Sequence, residues 1–164
     1  MKRFFAIFAA VVILAGCGGP SLPPLKDYTM NEISFKVYDT WKLTEKEEGT
    51  LKMMFFMPEL PWGSFAMMRY EGMSAKDVIN NIKNSMPSSG NELVTEYQVE
   101  INGAKFDFVD FKNGDKRIPL KFGSLGVADG TGYAGAIQIY SDFQGLDNEN
   151  NTELKTLADT VVLK

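Results

Sequence analysis

One thiol, six clustered thioethers and no imidazole set the chemistry open to this chain. The absence of histidine removes Ser-His-Asp and Cys-His catalysis, histidine-based zinc sites and the commonest general base near neutral pH. Met53, Met54, Met57, Met67, Met68 and Met73 fall within 21 residues. Thioethers are soft ligands suited to Cu(I). Yet adjacent methionines on a strand point to opposite faces, and methionine also fills irregular cores. Core packing is therefore the expectation and no metal site is assigned, an adaptable apolar surface being the remaining reading. Asp107 and Asp110 are three apart, so on a strand they too face opposite sides and form no acid–base pair by themselves. Asp147-Asn148-Glu149-Asn150-Asn151 offers oxygen ligands without EF-hand spacing, and reads as a solvated loop. Gly130 to Gly135 spells G-x-G-x-x-G, but it runs into a strand pattern, whereas a dinucleotide site needs a helix there. No cofactor is expected. Trp62, in a loop bounded by Pro58 and Pro61, is the candidate contact for a partner or ligand, although packing of its ring under the loop is the favoured reading.

The one thiol has a distinctive setting. Lys2 and Arg3 precede an apolar run from Phe4 to Leu14, then Leu14-Ala15-Gly16-Cys17. About 11 apolar residues are too few to span a bilayer as a helix, and the order of parts is that of a secretory signal. Cysteine directly after the small residues resembles the lipobox of bacterial lipoproteins. That resemblance implies a diacylglyceryl thioether on Cys17 and removal of residues 1–16, the alternative being a cysteine inside an uncleaved signal. Two or more acyl chains give stable anchoring where one does not. Gly18 stands where aspartate retains many enterobacterial lipoproteins in the inner membrane. The expected location is thus the cell envelope: the outer membrane if there are two membranes, otherwise the outer face of the cell membrane.

Without Lys2 and Arg3, 15 basic residues face 21 acidic ones, a formal charge of −6. This excludes binding driven by nucleic-acid phosphates and electrostatic docking on anionic lipid. Residues 17–27 carry the lipidated cysteine and a Gly/Pro-rich linker, and 28–164 form one domain. With Cys17 committed to lipid, no disulfide can staple that domain.

Alternating patterns predict strands at Ile33 to Val37, Trp41 to Leu43, Ser64 to Tyr70, Leu93 to Ile101, Ala104 to Lys112, Arg117 to Val127 and Tyr133 to Tyr140. Leu51 to Met57 is nearly all apolar and reads as a strand covered on both faces. Glu45 to Gly49, Asn102-Gly103, Asn113-Gly114 and Asp129-Gly130 read as turns. Ser74, with Asp77 three residues on, caps a helix whose Val78, Ile79, Ile82 and Met86 share a face. Thr152 caps a second, lined by Leu154, Leu157, Ala158 and Val161. Strands, helix, strands, helix is an α+β order with an antiparallel sheet.

The early strand ending at Trp41, the helix from Ser74 to Met86, the strand entering Ile101-Asn102-Gly103 and the closing Leu154 to Leu163 segment together resemble the PsbP/DcrB-like superfamily. The resemblance implies a curved antiparallel sheet flanked by helices. It also implies an accessory or binding role, since the superfamily has no shared catalytic motif to carry over. The expected function is a non-catalytic, membrane-anchored module for an envelope protein or a small ligand. The rival functions are a structural or assembly factor of an envelope complex, and an enzyme using carboxylates or a hydroxyl.

Overall fold

The computed structural model describes residues 22–59 and 63–164. Cys17 and Trp62 lie outside them. A hairpin of β1 (Leu25–Met30) and β2 (Ile33–Tyr38) turns at Asn31 and packs on a larger sheet. That sheet has seven strands: β3 (Lys42–Glu48), β4 (Leu51–Met57), β5 (Gly63–Glu71), β6 (Glu92–Ile101), β7 (Ala104–Lys112), β8 (Phe122–Gly130) and β9 (Tyr133–Ser141). Their spatial order is β3-β4-β5-β9-β8-β7-β6, every neighbour antiparallel. Helix α1 (Ala75–Ser85) carries the chain from central β5 to the far edge at β6, and α2 (Thr152–Ala158) closes the fold.

Period-two alternation splits the sheet's side chains between two cores. Phe56, Phe65, Met67, Phe106, Phe108 and Ile137 meet the β1–β2 hairpin and α2. Met68, Val109, Phe111, Leu125, Val127 and Ala136 meet α1 on the other face. Gly126 makes room for an aromatic ring here: it is the cross-strand neighbour of Phe108, and a Cβ on it would lie 2.2 Å from that ring. Ser74 caps α1 as its sequence predicts, its Oγ accepting from Asp77 N at 3.2 Å. The Asp129 carboxylate accepts a further bond from Ala75 N at 2.6 Å. The Asn102-Gly103 turn has φ of +49° and +82°, as a type I′ hairpin requires.

Several expectations change. The segment 17–27 was expected as linker, but Leu25 already pairs with Tyr38 and Asp27 with Lys36, so the domain begins three residues before Tyr28. Glu45 to Glu48 belong to β3, and only Gly49 and Thr50 turn. This strand lies on the sheet edge with every side chain in water, so no apolar period marks it. β4 is mostly half-buried, not covered on both faces, because α1 packs over β7, β8 and β9 and leaves it open. Asn113-Gly114 opens a long connection to Phe122 in place of a tight turn, and Asp129-Gly130 stay in β8, the turn falling at Thr131-Gly132. Thr152 is the first residue of α2 and Asn151 holds the N-cap position. The helix ends at Ala158, after which Val162 pairs with Ser34 in a short bridge.

Candidate functional site

The uncovered face of β4 and the start of β5 form one wall of a cleft of about 290 Å3. Phe55 and Met57 come from β4 and Ser64 from β5, while Ile118, Pro119 and Leu120 form the opposite wall. That wall is built by one side chain. The Asn113 amide donates to the carbonyls of Ile118 at 3.1 Å and Leu120 at 2.9 Å, and its Oδ1 accepts from Asp115 N at 3.0 Å. Gly114 N donates to Asn91 Oδ1 at 2.8 Å, fixing the loop to the residue that precedes β6. At the rim Arg117 grips Asp115 through two nitrogens, at 2.9 and 2.7 Å. These bonds to Arg117 hold the Asp115 carboxyl down at about 2, so the rim pair stays charged.

Ser64 is 3% exposed, and its hydroxyl has no hydrogen-bond partner among the described residues. Buried hydroxyls are nearly always paired, so this one marks an unmade bond beside an apolar cavity. The connection holding Trp62 starts after Met57 and ends at Gly63, and both residues line the cleft. A second, more open hollow of about 410 Å3 is lined by Leu22, Tyr38, Trp41 and Pro58. The Tyr38 hydroxyl is also unpaired among the described residues, and burial raises its pKa, with Glu153 adding to the shift.

The remaining candidates separate. Met53 pairs across the strands with Met68 on the α1 face, and Met54 with Met67 on the opposite face. The sheet itself thus divides the methionines between two cores. Asp107 is held by Gln98 Nε2 at 2.6 Å on the exposed side, while Asp110 is buried on the other. Asn151 is buried within its loop, its amide donating to Phe143 O at 3.1 Å and Gly145 O at 2.6 Å. Gly130 pairs with Tyr133 in the β8–β9 hairpin, so the glycine pattern there is a strand turn. Among the described residues no three His, Cys, Asp or Glu side chains gather as a metal site.

Two buried polar clusters have no local sequence signal. The Tyr97 hydroxyl donates to Asp110 Oδ1 at 3.1 Å and accepts from Leu146 N at 3.2 Å. Burial raises the Asp110 carboxyl pKa against hydrogen bonds from Ser124 and Tyr97, and raises Tyr97 far above its ordinary value. Arg69, 5% exposed, reaches Glu32 at 3.1 Å, bonds Glu71, and stacks 4.5 Å over the Tyr133 ring. The first ties β6 and β7 to the loop at Leu146, the second ties β5 and β9 to the β1–β2 turn at Glu32, and both lie outside the cleft wall.

No protein-family model matches this chain, and no curated protein matches it. Among solved structures it is similar to the solution structure of cyanobacterial PsbP (CyanoP) from Synechocystis sp. PCC 6803, with a TM-score of 0.62. The alignment covers 92% of this chain and 99% of that one at 14% identity. The fold is therefore PsbP-like, a mainly antiparallel sheet with a helix on each face. At that identity the likeness speaks for the fold alone.

Proposed function

We propose that this chain is a non-catalytic binding module, held in the cell envelope by lipid on Cys17, that takes a small apolar ligand or an apolar side chain of a protein partner in the cleft between Phe55 and Ile118. The observation that carries this reading is an apolar cavity with one unmade hydrogen bond, walled by a loop that is already folded. Its volume lies near the lower end of the roughly 300–1,000 Å3 of ligand pockets, enough for a ring system or part of an acyl chain. The Asn113 bonds order Ile118 to Leu120 before anything binds, which lowers the entropic cost of binding. Met57 and Gly63, which flank the segment holding Trp62 in sequence, both line the cleft, and Trp62 stays the proposed contact for a partner or ligand. The PsbP-like fold is compatible with an accessory role. The envelope location follows from the lipobox, with the outer membrane expected where there are two.

Titration of the full chain with a compact apolar fluorophore, 1-anilinonaphthalene-8-sulfonate, tests the cleft. Ile118→Trp fills it and is expected to weaken binding by about tenfold or more, roughly 1.4 kcal/mol. Leu93→Ser, far along the sheet, is expected to leave binding unchanged. Equal affinity for the Ile118→Trp chain and wild type sinks the assignment. For the anchor, metabolic labelling with a fatty-acid analogue is expected to mark wild type and not Cys17→Ser; label on both removes Cys17 from the proposal.

A further inference from the structure

The exposed large hydrophobic side chains of the described residues all lie at one end of the sheet. The cross-strand row Gly63, Ser141, Phe122, Lys112 and Glu92 defines that end. Met57, opposite Lys42, carries it to the β3 edge, where Leu43 is the next residue. Leu93 and Val94 follow Glu92 at the start of β6, and Phe143 is two residues past the end of β9. Leu25 pairs with Tyr38, which lines a hollow with Leu22 and Pro58, so the start of the hairpin joins the same end. At the opposite end, Gly49-Thr50, Asn102-Gly103 and Thr131-Gly132 turn without such a side chain. Single exposed hydrophobics are ordinary and need no explanation. Their confinement to one end, while the other has none among the described residues, is a polarity of the whole domain.

Chain length fixes what faces that end. Leu22 is five residues from Cys17. Five residues fully extended reach at most about 18 Å. An acylated Cys17 therefore keeps this end, and no other, next to the bilayer. Seven strands spaced about 4.8 Å apart make the end about 29 Å wide, so contact can run across the sheet from Leu43 to Leu93.

We propose that this end of the domain rests on the lipid bilayer, with Leu22, Leu43, Met57, Leu93 and Phe143 entering the headgroup boundary. The proposal rests on lipidation of Cys17 and goes beyond it: the anchor fixes location, whereas this contact fixes orientation. The contact is apolar, because a net charge of −6 gives no attraction to anionic headgroups.

The sole cysteine makes the test direct, since a lipidated Cys17 leaves an introduced cysteine as the only free thiol. Leu43→Cys, Leu93→Cys and Phe143→Cys mark the apolar end, and Thr50→Cys and Thr131→Cys the opposite turns. Each full-length lipidated chain is labelled with a bimane fluorophore and placed in phosphatidylcholine vesicles that contain a nitroxide-bearing phosphatidylcholine. Quenching about twofold or more stronger at 43, 93 and 143 than at 50 and 131, unchanged by added salt, is the expected result. Equal quenching at both ends overturns the proposal. So do quiet labels on a vesicle-bound chain, which leave a protein partner or a second copy to cover these side chains. Wild type is the control for the anchor. A Cys17 that takes the label overturns lipidation itself, and it does so separately from the quenching pattern.

Discussion

Replacing Ser64 by alanine is expected to make this protein more stable, which is unusual for a buried position on a central strand. The Ser64 hydroxyl is buried and has no partner among the described residues. A buried polar group left unpaired costs about 1–3 kcal/mol in lost hydration. Alanine keeps the Cβ and removes only the oxygen, whose dispersion contacts contribute about 0.1–0.2 kcal/mol each. The balance is a gain of about 1–2 kcal/mol, or a rise in Tm of roughly 3–7 °C for a domain of this size. Ser124→Ala is the matched control. Ser124 is as buried as Ser64, but its hydroxyl has a partner in the Asp110 carboxylate. Its loss is expected to lower stability by about 1–2 kcal/mol. Urea unfolding followed by tryptophan fluorescence and near-ultraviolet circular dichroism measures both. If Ser64→Ala lowers stability as much as Ser124→Ala does, the Ser64 hydroxyl is paired in solution and the unmade bond beside the cleft is refuted. The same variant also reports on the ligand. An occupant that accepts from Ser64 loses about tenfold in affinity, and a pure hydrocarbon loses none.

Gly114→Ala is expected to weaken apolar-probe binding and lower stability by more than about 1 kcal/mol, because its Cβ would fall 2.1 Å from Gly90 O; thermal melts and probe titration check both, and an unchanged pair of values refutes it. The Asp110 carboxyl titrates above its ordinary value in the fold, so the folded state holds more protons than the unfolded one across that interval. Stability from this group is therefore lost as pH rises from the ordinary carboxyl range through the raised value, and Asp110→Asn is expected to flatten that part of a urea-midpoint profile against pH. Arg69→Met is expected to cost about 2 kcal/mol, because Glu32 and Glu71 are half-exposed and return to water. Removing both carboxylates as Glu32→Gln with Glu71→Gln leaves a buried cation and is expected to cost more, about 3–5 kcal/mol; the reverse order in denaturation refutes this.

Features governed by neighbours in sequence were legible in the sequence. The Ser74 cap needs a hydroxyl three residues before a free amide, and both are close at hand. The Asn102-Gly103 turn needs two residues that accept positive φ, and the sequence supplies them. Strand β7 was legible to the residue, because Lys105, Phe106, Asp107 and Phe108 alternate between the Asn102-Gly103 turn and the Asn113-Gly114 break. What was not legible depends on distance or on a missing partner. β3 carries no apolar alternation because neither of its faces is buried. Arg69 finds Glu32 across 37 residues, and Tyr97 finds Asp110 across 13. The Asn113 loop resembles a two-residue turn by letters alone. Only the folded chain reveals an amide that reaches forward seven residues to Leu120 and holds the cleft wall. Trp62 was picked out because of its proline-bounded loop, and it lies outside the described residues.

The cleft and the apolar end meet at Met57, which lines the one and projects from the other with 42% of its surface exposed. If the domain rests on the bilayer as proposed, the mouth of the cleft lies at the headgroup boundary. An apolar ligand then passes from membrane to cleft without crossing water. Its effective concentration is set by the bilayer, so even a weak intrinsic affinity gives high occupancy. This accounts for a small, open cleft serving as a binding site where a free soluble carrier needs a deep one. It also separates the ligand's two origins by experiment. A membrane-borne ligand shows tighter apparent binding to the vesicle-bound chain than to the detergent-solubilised one, and the gain disappears when Leu22 and Leu43 are made polar. A water-borne ligand binds both forms alike.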